Sequence, residues 1–170
     1  MPFNVLVLCT GNSARSILGE MLFNHLGGGR IMAWSAGSKP GGTVNPLALE
    51  TLARHGIPCA GARSKSWDEF AAPGAPEFDF IFTVCANAAN ETCPIWPGHP
   101  TTAHWGIPDP AHVEPLAARR EAFETAYQSL RRRIEAFLAL PLETMSREEF
   151  PEGRRALALA ARRIHAENPA

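Results

Sequence analysis

Near the start of the chain a short, mostly apolar run, Phe3-Asn4-Val5-Leu6-Val7-Leu8, ends abruptly at Cys9-Thr10-Gly11-Asn12. A strand this apolar predicts burial on both faces, the condition of a parallel sheet covered by helices. A helical pattern follows directly: from about Arg15 to Leu26, the residues Ile17, Leu18, Met21, Leu22 and Leu26 share one face, and Gly27-Gly28-Gly29 closes it. The alternation then repeats. Ile31 to Ala36 reads as a second strand, Gly37 to Val44 as a turn-rich stretch, and Pro46 opens a second helix that runs to about His55. Strands alternating with helices predict an α/β fold with a parallel sheet.

Further strands are predicted at Phe78–Val84 and, more weakly, at Thr101–Trp105. The loop between them carries Cys93 among Pro94, Pro97 and Pro100, a density that argues for a shaped segment. From Glu114 to Leu140, the residues Leu116, Phe123, Tyr127, Leu130, Ile134 and Phe137 define the apolar stripe of a long helix. Its other face, with Arg119, Arg120, Glu124, Arg131 and Arg132, reads as solvated. Ser146 and Glu149 have capping-box spacing, and Pro151 opens a last helix to about Ala166. In a parallel sheet all strand C-termini share one edge, where ligands bind. Cys9, Cys85 and Asp109 each follow a strand, so three reactive side chains are expected together there.

Composition narrows the function. A chain of 170 residues predicts one domain spanning 1–170. Its net charge of −1 argues against a nucleic-acid binder that neutralises phosphates. The sequence holds no apolar run of membrane-spanning length and no export leader, so neither a membrane partner nor secretion is expected. Four cysteines are too few for a disulfide scaffold, and reduced, reactive thiols in the cytoplasm are expected instead. No large apolar interface is evident, so a monomer is expected. Neither cysteine nor histidine spacing suggests a metal site, and no cofactor is expected.

The segment Cys9-Thr10-Gly11-Asn12-Ser13-Ala14-Arg15-Ser16 joins the first strand to the first helix. Its small residues let the backbone curl until its amides point into one cavity, and Gly11 and Asn12 both tolerate the left-handed conformations such a curl demands. The loop feeds a helix N-terminus, which favours anions. Arg15 adds a two-pronged donor. Such a cavity suits a tetrahedral oxyanion such as phosphate or arsenate. Cys9 at its floor is expected to be a thiolate nucleophile, and Ser16 is placed to donate a hydrogen bond to the sulfur. Asp109, stiffened by Pro108 and Pro110, is the candidate general acid.

This loop, together with Cys85, Cys93 and His104-Trp105-Gly106-Ile107-Pro108-Asp109-Pro110, resembles the arsenate reductases built on the low-molecular-weight tyrosine phosphatase fold. The resemblance spans nearly the whole chain. It implies a four-stranded parallel sheet in order 2-1-3-4 flanked by helices, here with an extra C-terminal helix, and sets Cys9 beside Cys85. It also implies a relay. Cys9 attacks arsenate, Cys85 attacks Cys9 and releases arsenite, and Cys93 then attacks Cys85, carrying the disulfide outward to thioredoxin or to glutathione and glutaredoxin. Phosphate and sulfate would bind as mimics of arsenate. Some members hold a potassium ion beside the loop, on residues corresponding to Asn12, Glu20, Ser35 and Ser64; this chain has Ser66 where they place an aspartate.

Two other readings compete. A low-molecular-weight tyrosine phosphatase would use Cys9, Arg15 and Asp109 but give Cys85 and Cys93 no role. It would also carry an aromatic residue beside the Asp-Pro, where this chain has Ala111. A non-enzymatic thiol switch or arsenite binder would use the three cysteines and have no need of Arg15 or Asp109. Cys59 reads as a packing residue.

Overall fold

The computed structural model describes residues 2–85, 96, 98, 100–146 and 151–167. Four strands form one sheet: β1 (Phe3–Leu8), β2 (Ile31–Ala36), β3 (Phe80–Thr83) and β4 (Thr101–His104). They lie in the order β2-β1-β3-β4, and every pairing is parallel. Among the described residues six α-helices accompany them: α1 (Arg15–Gly27), α2 (Pro46–Arg54), α3 (Asp68–Ala71), α4 (Leu116–Leu138), α5 (Leu142–Met145) and α6 (Pro151–Glu167).

The period-two alternation of β1 divides the interior. Val5 and Val7 face a core built with α1, α2, α4 and α6, whereas Leu6 and Leu8 face a smaller one with Trp67, Phe70 and Phe78. All four side chains are buried, as a strand covered on both faces requires. An aromatic stack underlies the larger core: Phe82 sits with its ring centroid 4.0 Å from that of Trp105 and 5.4 Å from that of Phe23. Trp105 is fully buried and its indole donates to the Ala161 carbonyl at 2.8 Å, which fastens α6 to the end of β4.

The elements follow the expected order, with corrections at their edges. The third strand is shorter than Phe78–Val84, because Phe78 turns into the smaller core while Asp79 grips the backbone of Asn4. The fourth ends at His104. The long helix starts at Leu116, after Pro115, and Leu116 is 46% exposed, lying off the buried stripe. Its charged face is partly spent on neighbours: Glu124 meets His55 and Arg54, and Arg120 meets Glu50, tying α4 to α2. Arg133, on the same helix, is fully buried. Ser146 ends α5, and its capping partner Glu149 lies outside the described residues. The short helices α3 and α5 are additions to the expected set.

Between β1 and its two neighbours the chain leaves in opposite directions, first to β2 and later to β3. The crevice where strand order reverses lies at the C-terminal ends of β1 and β3, and Cys9 and Cys85 lie just beyond those ends. Replacing Trp105 by Phe removes the donor that satisfies the Ala161 carbonyl while keeping the aromatic stack. The expected loss is about 1–3 kcal/mol in urea unfolding, with an unchanged far-ultraviolet circular dichroism spectrum.

Candidate active site

Residues 9–16 curl at the head of α1, and the curl is held from outside. The carbonyls of Thr10, Gly11 and Ser13 accept from the amides of Lys39, Gly41 and Asn45. Because each peptide unit is planar and trans, turning these carbonyls outward points the N–H groups of Gly11 and Ala14 the other way. Both residues line a cavity of about 340 Å³ shared with Cys9, Thr10, Ser13, Arg15, Asn45, Asp109, Ala111 and His112. Asn12 takes the left-handed turn at φ 45°, and Gly11 does not. The curl therefore needs one left-handed residue where two were expected.

Asn12 is also the brace. Fully buried, its side-chain amide donates to Ser16 Oγ at 2.8 Å and Ser35 Oγ at 3.0 Å, and its carbonyl accepts from the Lys65 backbone at 2.9 Å. Ser16 Oγ accepts in this bond, which leaves its hydroxyl hydrogen to donate elsewhere. Ser64 Oγ donates to the Gly11 carbonyl at 3.2 Å. Gly37 packs flat against the loop: a Cβ there would fall 2.7 Å from the Cys9 carbonyl oxygen and closer still to that of Thr10.

Arg15 and Asp109 meet above the curl. Arg15 Nη1 donates to the Ile107 carbonyl at 2.9 Å, and Nη2 lies 3.8 Å from Asp109 Oδ2. The other Asp109 oxygen accepts from the Ala111 amide at 2.9 Å, closing an Asx turn that fixes the carboxylate over the cavity. His112 Nε2 lies 3.8 Å from Asp109 Oδ2 on the solvent side. Sequence reasoning missed His112 and Asn45, which lies on the cavity wall. For Asn45 a signal existed: it precedes Pro46 and caps α2 by accepting from the Leu47 amide.

The two cysteines after β1 and β3 come together. Cys9 and Cys85 are both buried, and the Thr10 amide donates to Cys85 Sγ at 3.3 Å. The hydrogen bond between the two thiols, then burial, holds the Cys9 thiol above the ordinary cysteine range, against the downward pull of Arg15 and the Gly11 backbone. At Cys9 the neighbouring Cys85 thiol thus opposes the thiolate that Arg15 and the loop backbone favour. Cys93 lies outside the described residues. Cys59 is half-buried against the larger core, in keeping with packing.

Comparison with known proteins follows from this geometry. The family model for low molecular weight phosphotyrosine protein phosphatases matches residues 4–149. The chain belongs to this family. Within the phosphatase family it is similar to an arsenate reductase of Shouchella clausii, 33% identical over 131 residues that span 76% of this chain and 91% of the relative. A solved arsenate reductase of Archaeoglobus fulgidus superposes with a TM-score of 0.58 at 27% identity, covering 77% of this chain and 98% of that one. A tyrosine phosphatase of Erwinia amylovora superposes with a TM-score of 0.60 at 26% identity, covering 79% and 90%.

The potassium site that the resemblance implied beside the loop is not matched by the residues of this chain. Beside Glu20 and Ser35, where the ion would lie, stands the ammonium of Lys65, 3.5 Å from Glu20 Oε1 and 3.1 Å from the Arg63 carbonyl. Ser66, at the expected aspartate position, accepts from the Asp68 amide.

The closeness of the two thiols has a direct consequence. Replacing Cys85 by Ala removes the largest cause that raises the Cys9 thiol, so more of Cys9 is thiolate at a given pH. Iodoacetamide at pH 7 is expected to alkylate Cys9 several-fold faster in this variant, as read by mass spectrometry of the Cys9 peptide. In parallel, Gly37→Ala is expected to weaken phosphate binding by at least tenfold in calorimetry, because two loop carbonyls must shift to admit the methyl group.

Proposed function

We propose that this chain reduces arsenate to arsenite with its own thiols, in the service of arsenic detoxification. The observation that carries the reading is the second buried thiol: Cys85 lies beside the loop nucleophile Cys9 and is held by the Thr10 amide. Phosphoryl transfer through Cys9 to water has no use for it, whereas a two-electron reduction does. Similarity to curated arsenate reductases at about one-third identity supports the same choice.

In the proposed reaction the loop amides and Arg15 hold the arsenate oxygens. Loss of the Cys9 proton to solvent, favoured by Arg15 and the loop backbone, frees the thiolate to attack arsenic. An As–S bond forms, and one arsenate oxygen leaves as water, protonated by Asp109. Cys85, its proton passed to solvent, then attacks Cys9 Sγ as a thiolate. A Cys9–Cys85 disulfide forms, the electron pair of the As–S bond passes to arsenic, and As(V) leaves as As(III). Two thiols have become one disulfide. Cys93 next attacks Cys85, freeing Cys9 as a thiolate and leaving a Cys85–Cys93 disulfide. A dithiol protein such as thioredoxin, or glutathione with glutaredoxin, reduces that bond, which places the cycle in a reducing compartment such as the cytoplasm.

The phosphatase reading shares Cys9, Arg15 and Asp109, and the fold alone is compatible with it. Ala111, which lines the cavity beside Asp109 where an aromatic residue would grip a phenyl ring, disfavours it. A passive arsenite binder leaves the Arg15–Asp109 pair without a purpose.

Fully reduced protein given arsenate and no external reductant is expected to release about one arsenite per chain with loss of about two thiols. Retention of all thiols with no arsenite, alongside hydrolysis of a phosphotyrosine peptide, would favour the phosphatase. Arg15→Ala is expected to lower arsenate turnover by about 10²–10³-fold while leaving arsenite capture nearly intact, as followed by arsenic speciation. Asp109→Asn is expected to cost about 10²-fold in turnover.

A further inference from the structure

Glu20 lies on α1 with its side chain 9% exposed, and Lys65 reaches it with a side chain 6% exposed. A buried carboxylate needs a positive charge close by, or it must bind a proton. Here the charge comes from within the chain. The Lys65 ammonium lies 3.5 Å from Glu20 Oε1 and donates to the Arg63 carbonyl at 3.1 Å.

The pair is joined to the anion loop by a chain of hydrogen bonds. Ser35 Oγ donates to Glu20 Oε1 at 2.8 Å, which leaves its lone pairs to accept from Asn12 Nδ2 at 3.0 Å. In this direction Glu20 Oε1 is the acceptor at the end of the chain. Asn12 then has its carbonyl turned to the Lys65 backbone N–H at 2.9 Å. Lys65 thus enters the network twice, through its ammonium and through its amide. Its own backbone is pinned where the carbonyl accepts from Gly37 N at 3.0 Å, beside the end of β2.

We propose that Lys65 is the built-in cation of the oxyanion loop: its ammonium stands beside the buried Glu20 carboxylate, where the resemblance implied an inorganic potassium ion, and so keeps Asn12 oriented and the loop curled. Lys65 is a positioning residue that touches neither substrate nor nucleophile. The protein then needs no added potassium. Removing the ammonium leaves a carboxylate-lined gap beside Glu20 that a potassium ion is suited to fill. Removing Glu20's charge as well removes the need for either cation. The inference concerns the support of the loop and does not depend on which oxyanion the loop turns over.

The test is thermal unfolding of the whole chain in potassium, sodium and choline chloride at equal ionic strength, with phosphate affinity measured beside it. Wild type is expected to have the same melting temperature in all three salts. Lys65→Ala, and Lys65→Met as a variant that keeps the stem, are expected to melt about 10 °C lower in choline. Potassium is expected to restore most of that loss saturably and to restore phosphate affinity with it. The double variant Glu20→Gln with Lys65→Met is expected to regain stability and to ignore the cation. If a single variant folds only when potassium is present, that supports the proposal equally. A wild-type protein stabilised by potassium over choline would overturn it. So would single variants with unchanged melting temperatures, or single variants that respond to no cation.

Discussion

The side chain of Asn12 is the interaction on which the site depends. A loop of backbone amides curled around an anion is strained in two ways: one residue must turn left-handed, and the peptide dipoles converge on a single point. Asn12 supplies both the turn and the brace, with φ 45° and a fully buried amide joined to Ser16, Ser35 and Lys65. It links the start of α1, the end of β2 and the segment after α2, so the loop's shape is set by three elements distant in sequence. The outer bonds from Lys39, Gly41 and Asn45 complete the enclosure. A preorganised cavity of this kind spends no reorganisation when the anion arrives.

From that brace the chemistry follows by topology. The strand order places β1 beside β3, so the residues that follow them, Cys9 and Cys85, share the crevice. The same loop that encloses the anion site lends its Thr10 amide to Cys85. One loop thus serves both sulfurs. Arg15 couples the curl to the acid segment through Ile107 and Asp109, and Trp105 anchors that segment to α6. The extra C-terminal helix therefore supports the ground beneath the proposed general acid.

Much of this was legible in the residues themselves. The buried character of Phe3–Leu8, the helix periodicity from Arg15 and the small-residue loop between them are local patterns, and local patterns survive the absence of a structure. What escaped was non-local. Lys65 sits between Ser64 and Ser66 as an ordinary polar loop residue, and only the fold carries its ammonium to Glu20. Leu116 has the spacing of a core residue, yet the helix begins there and its first turn lies outside the packed region. The bond from Asn12 to Ser16 is likewise set by the turn at Asn12, which buries both side chains together. The electrostatic balance at Cys9 is non-local as well: the loop and Arg15 favour a thiolate, and the Cys85 thiol that opposes it arrives from across the sheet.

The central claim is that Cys85 relieves Cys9 of arsenic by forming a disulfide with it. The most direct measurement stops the reaction at that point. A Cys93→Ser variant, fully reduced, is given one equivalent of arsenate, quenched in acid with a thiol-blocking reagent and digested without reductant. The account predicts a peptide pair linked through Cys9 and Cys85, formed in proportion to the arsenite released. Arsenite released while Cys9 and Cys85 are both recovered as blocked free thiols would contradict it.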